Sequence, residues 1–157
     1  MGIDKTFELA FAKAAIAAGQ KFPPTGSGVF ISVKDEDKEA ILPVAVGLHK
    51  LGYKLLATTG TGDSIRGAGV PCENIYKINE GRPNAGDGLL NGDIKMMIVT
   101  SQGDEADARD GKDLRRQALA QTVPLITTVS GGAATVGALT ALAKDDVQQV
   151  ALQDYFA

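Results

Sequence analysis

The feature of this sequence that most limits its fold is a repeated exchange between two periodicities. Five short runs of β-branched and aliphatic residues are each followed by a polar loop and then by a stretch with the spacing of an amphipathic helix. The predicted strands are 29–33, 54–58, 75–78, 96–100 and 125–128, and the predicted helices between and after them are 38–51, 63–68, 86–91, 112–121 and 133–143. This alternation predicts an α/β fold with a five-stranded parallel sheet that has helices on its faces.

A further helix is predicted before the first strand. Its apolar stripe at helical spacing consists of Phe7, Ala10, Phe11, Ala14 and Ala18. Asp4 is the expected N-cap and Gly19 the expected stop. Residues 20–28 are rich in proline and glycine, as in a linker. We therefore expect two parts, a helix with its linker (1–27) and a main domain (28–157).

Composition excludes several classes of function. The net charge of −3 is too acidic for a protein that binds nucleic acid or anionic lipid over its whole surface. No run of about 18 apolar residues is present to span a membrane. The single cysteine, Cys72, cannot form an internal disulfide or a thiolate-rich metal site, which fits a reducing cytoplasm. With 19 glycines and one histidine, the chain is better suited to binding anions through backbone N–H groups than to acid–base catalysis.

The ends of the predicted strands carry residues that suit an anion. In an open parallel sheet the carboxyl ends of the strands lie together, and the helices that follow aim their free N–H groups at that edge. Lysine, threonine, serine and glycine recur there; the candidates are Lys38, Thr58, Gly60, Thr61, Lys77, Thr100 and Ser101. Two ammonium groups, several hydroxyls and glycine-rich turns predict a pocket of phosphate size without a metal cluster.

Other charged residues have simpler explanations. The acidic run 35–37 is expected to cap the helix that follows it and to match its dipole. Pro43, inside the predicted helix 38–51, indicates a kink or an irregular first turn. Arg115 and Arg116 lie on a predicted helix, with Asp110 and Asp113 just upstream, so solvated ion pairs are the default interpretation.

Several segments together resemble a known family. They are 29–34 with 37–38, 51–61, Lys77 with 80–84, 114–119, and 123–124 with 127–128. These segments are similar to the methylglyoxal-synthase-like domain at the C-terminus of the carbamoyl-phosphate synthase large subunit. The helix before the first strand resembles the end of the preceding synthetase region.

The resemblance implies a three-layer Rossmann-type fold and a regulatory role in the cytoplasm, with no chemistry or cofactor in the domain itself. Nucleotide effectors such as UMP or IMP bind this domain in the family, at positions that match Lys38, Thr58, Thr61, Lys77 and Ser101. Thr127 matches a position near the ornithine site of some members, so it is the candidate for a second effector site. The implied partners are the synthetase domains, which use ATP and Mg²⁺, and the glutaminase small subunit. Carbamoyl phosphate for pyrimidine and arginine biosynthesis is the implied product, and any oligomer would form through the parent enzyme.

The chain departs from the effector-regulated members at three places. Val99 stands where they carry asparagine, Leu125 where they carry an aromatic residue, and the loop after Gly103 is acidic. The identity of the effector therefore stays open. One alternative is an interaction module with a vestigial site, which docks through Phe7 and Phe11. The other is a methylglyoxal synthase, for which Asp87 is the available carboxylate, although the Gly-Gly-Asp motif of that enzyme is missing.

Overall fold

One parallel sheet organises the molecule. In the computed structural model, which describes residues 1–100 and 105–155 apart from the side chains of 105–110, the strand order is β3-β2-β1-β4-β5. The strands are β1 (Gly28–Ser32), β2 (Lys54–Ala57), β3 (Glu73–Asn74), β4 (Ile94–Val99) and β5 (Leu125–Ile126). The helices are α1 (Phe7–Ala17), α2 (Leu42–Lys50), α3 (Thr59–Gly67), α4 (Ala85–Leu90), α5 (Glu105–Ala120) and α6 (Val129–Leu142). The predicted α/β class, the five parallel strands and the helix that precedes them are confirmed.

Helices bury both faces of the sheet, and the central strand β1 shows this most clearly. Its residues Val29 and Ile31 pack into a core with α2 and α6, whereas Phe30 between them packs into a second core with α4 and α5. All three side chains are fully buried. A parallel strand that is covered on both faces needs a continuous apolar run, because its successive side chains point to opposite faces of the sheet.

Helix α1 packs on the outside of α6. Its buried residues are Ala12 and Ala15, whereas Phe7 is 65% exposed, so the predicted stripe through Phe7 is not the face that α1 buries. Small residues face the neighbouring helix because α1 and α6 approach closely; a Cβ built on Gly137 of α6 would lie 3.0 Å from Glu8 Cγ.

The start of α1 also differs from the prediction. Thr6 is the N-cap, and its hydroxyl accepts a hydrogen bond from the Leu9 N–H at 3.3 Å. Asp4, the predicted cap, instead forms an ion pair with Lys13 at 2.6 Å. Lys13 Nζ donates in turn to the hydroxyl of Tyr155, which donates to the Ile3 carbonyl. These bonds join the N-terminal segment to the C-terminal 3₁₀ turn at Leu152–Tyr155.

The predicted bounds of the third strand and the predicted start of the first helix after β1 are wrong. The third strand is Glu73–Asn74 rather than 75–78, because its neighbour β2 ends at Ala57 and leaves later residues without a strand to pair with. Helix α2 begins at Leu42, with Pro43 in its first turn, where the missing proline N–H costs no intrahelical bond. The acidic run 35–37 forms a separate 3₁₀ turn and does not cap α2.

Helices α3, α5 and α6 begin earlier than the predicted starts at residues 63, 112 and 133. Helix α3 starts at Thr59 and includes Gly60 and Gly62, two residues with low helix propensity. A Cβ at position 62 would lie 2.7 Å from Asn74 Oδ1, so a larger residue there would displace the Asn74 side chain. Helix α5 starts at Glu105 although its first two turns lack the apolar spacing on which the prediction depended.

The close packing of α2 on α6 gives a test of the fold. A Cβ on Gly47 would lie 2.5 Å from Cγ1 of Val136, a β-branched residue that has little rotamer freedom in a helix. We expect Gly47→Ala to lower the free energy of unfolding by about 1–3 kcal/mol through overpacking. Denaturant unfolding measures this, and adding Val136→Ala should remove part of the loss.

Gly67→Ala is the matched control. Position 67 lies in α3 and has nothing within 4 Å of its built Cβ, so alanine there should raise stability by up to about 1 kcal/mol through helix propensity. Equal losses at positions 47 and 67 would contradict the packing described for α2 and α6.

Candidate functional site

A polar cleft at the carboxyl edge of the sheet opens where the strand order reverses. From β1 the chain runs outward through β2 and β3, then returns to place β4 on the other side of β1. A crevice at the carboxyl ends of the strands is expected at such a switch point. The cleft has a volume of about 240 Å³ and is lined by the ends of β1 and β4, the start of α3 and one face of α5.

Six of the predicted site residues come together in this cleft. Lys38, Thr58, Gly60, Thr61, Lys77 and Thr100 all line it. Ser101 lies outside the described residues. Thr127 is exposed after β5 and is not among the described residues that line the cleft.

The start of α3 provides backbone donors. Thr58 is its N-cap residue and makes no side-chain cap hydrogen bond, so its hydroxyl leaves the first N–H groups of the helix uncapped. A Cβ on Gly60 would lie 3.0 Å from Lys38 Nζ, so the glycine allows the ammonium group to approach the first turn of α3. Uncapped N–H groups beside an ammonium group form a site suited to a phosphate.

The hydroxyl groups of the cleft hold strand ends together. Thr61, only 1% exposed, accepts a hydrogen bond from the Val33 N–H at 3.2 Å. The Thr58 hydroxyl lies 3.2 Å from that of Ser32, at the end of β1. Thr100, after β4, accepts from the Lys34 N–H at 3.1 Å. Thr58, Thr61 and Thr100, which were predicted to bind a ligand, therefore also connect β1, α3 and β4 through hydrogen bonds.

The charge of the cleft opposes that of the whole chain. Its described lining has four cationic side chains, Lys34, Lys38, Lys77 and Arg115, and two carboxylates, Asp35 and Glu80. The positive charge is concentrated here although the chain has a net charge of −3.

Lys38 and Lys34 each form an ion pair with a carboxylate of the loop after β1. Lys38 Nζ lies 2.7 Å from Asp35 Oδ1, and this contact holds the pKa of the Asp35 carboxyl below its usual value, with a smaller contribution from the charge of Lys77. Lys34 Nζ lies 2.8 Å from Glu36 Oε2, and the hydrogen bond to Glu36 raises the pKa of Lys34.

The sequence interpretation missed Arg115. It was assigned with Arg116 to solvated ion pairs, but only Arg116 has such a partner among the described contacts, with Nη1 3.9 Å from Asp113 Oδ1. Arg115 lines the cleft together with Gly111 and Leu114. The spacing 111, 114 and 115 is one helix face, and it follows the end of β4, so this signal was available in the sequence.

One wall of the cleft is apolar. Val99 at the end of β4 and Leu114 on α5 line it, together with the buried Phe30. A ligand held at the start of α3 would extend along these side chains. Val99 offers such a ligand no side-chain hydrogen bond.

Asp87 has a structural role. Its Oδ2 accepts from the Asn84 N–H at 3.0 Å, and Asn84 Oδ1 accepts from the Asp87 N–H at 3.0 Å, which is the capping box of α4. Asp87 lines a different depression, together with Gly28 and Lys54 at the amino ends of β1 and β2. This carboxylate therefore lies away from the cationic cleft.

The described residues contain no cluster of three or more histidine, cysteine, aspartate or glutamate side chains placed to hold a metal ion. None of the helices in this part of the chain combines the length and apolar character needed to cross a membrane.

The molecule is an α/β domain with a doubly covered parallel sheet and a cationic cleft at the switch point, the position at which open α/β sheets bind their ligands. Comparison with known sequences identifies its family. The sequence profile of the MGS-like domain matches residues 40–127, more than half of the chain. The chain belongs to the MGS-like domain family.

Relatives extend over nearly the whole chain. The arginine-specific, chloroplastic carbamoyl phosphate synthase large chain of Oryza sativa subsp. japonica is 49% identical over 99% of this chain. The carbamoyl phosphate synthase large chain of Mesorhizobium japonicum is 44% identical over 100% of it. The C-terminal section of that large chain in Methanopyrus kandleri is 42% identical over 98%. This chain spans 13% of the first two proteins and 28% of the third.

The buried hydroxyl of Thr61 gives a prediction. Thr61→Val keeps the shape of the side chain but leaves the Val33 N–H without its acceptor, so we expect a loss of about 1–3 kcal/mol in the free energy of unfolding. Thr59→Val, at an exposed position of the same helix turn, should change stability by less than about 0.5 kcal/mol. Denaturant unfolding of both variants measures the difference, and equal effects would contradict a joint between α3 and β1.

Proposed function

We propose that this chain is the regulatory domain of a glutamine-hydrolysing carbamoyl-phosphate synthase large chain and that it binds a nucleoside monophosphate such as UMP or IMP. The observation that carries the proposal is the convergence of Lys38, Lys77 and the uncapped start of α3 in one cleft. The family and the names of the relatives support the parent enzyme.

The phosphate would bind at the start of α3. The N–H groups of Thr59 and Gly60 would donate to it, and the ammonium groups of Lys38 and Lys77 would balance its charge. The nucleoside would lie along Val99 and Leu114, where apolar contact and shape select it more than hydrogen bonding does. Arg115, at the rim, would contact the ribose or the base.

Regulation requires that the effector bind two states of the parent enzyme with different affinities. The shift in activity is bounded by that difference, typically about 1–3 kcal/mol. In the proposed parent enzyme the result would be a change in the rate of carbamoyl phosphate synthesis from ATP, which the synthetase domains use with Mg²⁺. The glutaminase small subunit would be a further partner, and the product would enter pyrimidine and arginine biosynthesis.

Titration calorimetry of the 157-residue chain with UMP and with IMP tests the binding step. We expect Lys38→Ala to weaken binding about tenfold, because a hydrogen bond to a charged group contributes about 1.5–3 kcal/mol and part of this is offset by the pair with Asp35. Lys54→Ala is the control, since Lys54 is paired with Glu73 at 3.0 Å and begins β2 at the opposite edge of the sheet.

Absence of heat with both nucleotides would overturn the proposal. It would favour the interaction module, for which the 65% exposed side chain of Phe7, with its ring centroid 6.0 Å from that of Phe11, provides the apolar contact. Release of methylglyoxal from dihydroxyacetone phosphate by the unmodified chain would favour the synthase alternative, but the capping role of Asp87 leads us to expect none.

A further inference from the structure

A carboxylate of the protein occupies the cationic end of the cleft. Asp35 Oδ1 lies 2.7 Å from Lys38 Nζ, and Asp35 itself lines the cleft. Lys77, the other lysine proposed to bind phosphate, also acts on the Asp35 carboxyl through its charge. The side chain that neutralises Lys38 therefore lies where the phosphate is proposed to bind.

Capping does not explain the position of Asp35. The 3₁₀ turn Asp35–Asp37 has no side-chain cap hydrogen bond at its start, and α2 begins only at Leu42. The contact that the structure gives to the Asp35 carboxylate is with the ammonium group of Lys38.

Glu36, the next residue, provides a comparison within the same turn. Its carboxylate also pairs with a lysine, at 2.8 Å from Lys34 Nζ, but Glu36 is not among the described residues that line the cleft. The two neighbours carry the same charge and similar ion pairs, and they differ in whether the carboxylate lies in the cleft.

We propose that Asp35 is an internal counter-ion of Lys38 that an incoming phosphate group must displace. This inference rests on the proposed function, since it concerns the affinity of the same cleft. Displacement is feasible because the Asp35 side chain is 77% exposed and can move into water, whereas Lys38, 29% exposed, stays beside the start of α3.

The proposal has a quantitative consequence. The Asp35–Lys38 pair must break before any ligand can bind through Lys38. The free energy of breaking the pair is therefore the same for every such ligand. The apparent affinity is the intrinsic affinity multiplied by the fraction of molecules in which Lys38 is not paired with Asp35, as for any binding-competent state that is only partly populated. Removing the carboxylate should therefore tighten inorganic phosphate and UMP by the same factor.

Asp35→Asn and Glu36→Gln in the full chain test this by titration calorimetry with inorganic phosphate and with UMP at constant ionic strength. Because an exposed ion pair contributes about 0.2–1 kcal/mol, we expect Asp35→Asn to tighten both ligands about two- to fivefold. Glu36→Gln, which removes the same charge one residue away, should change either affinity less than about 1.5-fold. Thermal unfolding of both variants checks that the fold is kept.

A double variant separates displacement from direct repulsion. If Asp35 acts by occupying Lys38, then Asp35→Asn adds nothing once Lys38→Ala is present. If Asp35 only repels the phosphate, its removal tightens binding in both backgrounds, and this result would overturn the inference. Equal effects of Asp35→Asn and Glu36→Gln would overturn it too.

The results also separate this inference from the proposed function. If UMP binds the unmodified chain and Asp35→Asn does not change its affinity, the proposed function is kept and the counter-ion role of Asp35 is overturned. If inorganic phosphate binds more tightly to Asp35→Asn but neither UMP nor IMP binds any variant, the counter-ion role is supported and nucleotide binding is overturned.

Discussion

The cleft depends on how the central strand β1 ends. Val29, Phe30 and Ile31 are fully buried against helices on both faces, so the strand has little freedom to move. At Ser32 and Val33 the chain reaches the sheet edge, and the Val33 N–H bonds to Thr61 of α3. On the other side the Lys34 N–H bonds to Thr100 after β4. These two hydrogen bonds position the start of α3 and the end of β4 relative to β1, and the cleft lies between them.

This arrangement explains how an acidic chain maintains a cationic cleft. Four cationic side chains converge because the segments after β1 and β3 and one face of α5 meet at the same edge, and not because the surface is basic. The loop that follows β1 also places one carboxylate inside the cleft, that of Asp35, which pairs with Lys38. A cluster of lysines without this carboxylate would lose stability through repulsion among its own charges. The same loop therefore provides both the charge that attracts an anion and the charge that balances the cleft before an anion arrives.

The location of the cleft could be predicted from the sequence because it depends on topology. Alternating strands and helices predict a parallel sheet, and a parallel sheet brings Lys38, Thr58 and Lys77 to one edge wherever the strands end. The boundary of β3 could not be predicted, since it depends on where its partner β2 stops. The counter-ion role of Asp35 was also out of reach, because a carboxylate near a predicted helix start is most simply a cap. The sequence signal against that interpretation is Pro43. It lies in the first turn of α2, so the helix begins several residues after the acidic run.

The relation of α1 to the main domain follows from packing rather than from composition. A segment rich in proline and glycine suggests a flexible connection, yet Tyr53 Oη donates to the Pro23 carbonyl at 2.7 Å inside the structure, and Phe22 packs against the same core as β1. Helix α1 lies on α6, and Lys13 with Tyr155 joins the two ends of the described chain. The amino-acid composition of a linker sets its stiffness only where the linker makes no contacts with the rest of the protein. Here the contacts of Phe22 and Pro23 fasten this segment to the core beside the sheet, and α1 packs directly on α6, so the first helix is part of the same packed unit as the main domain.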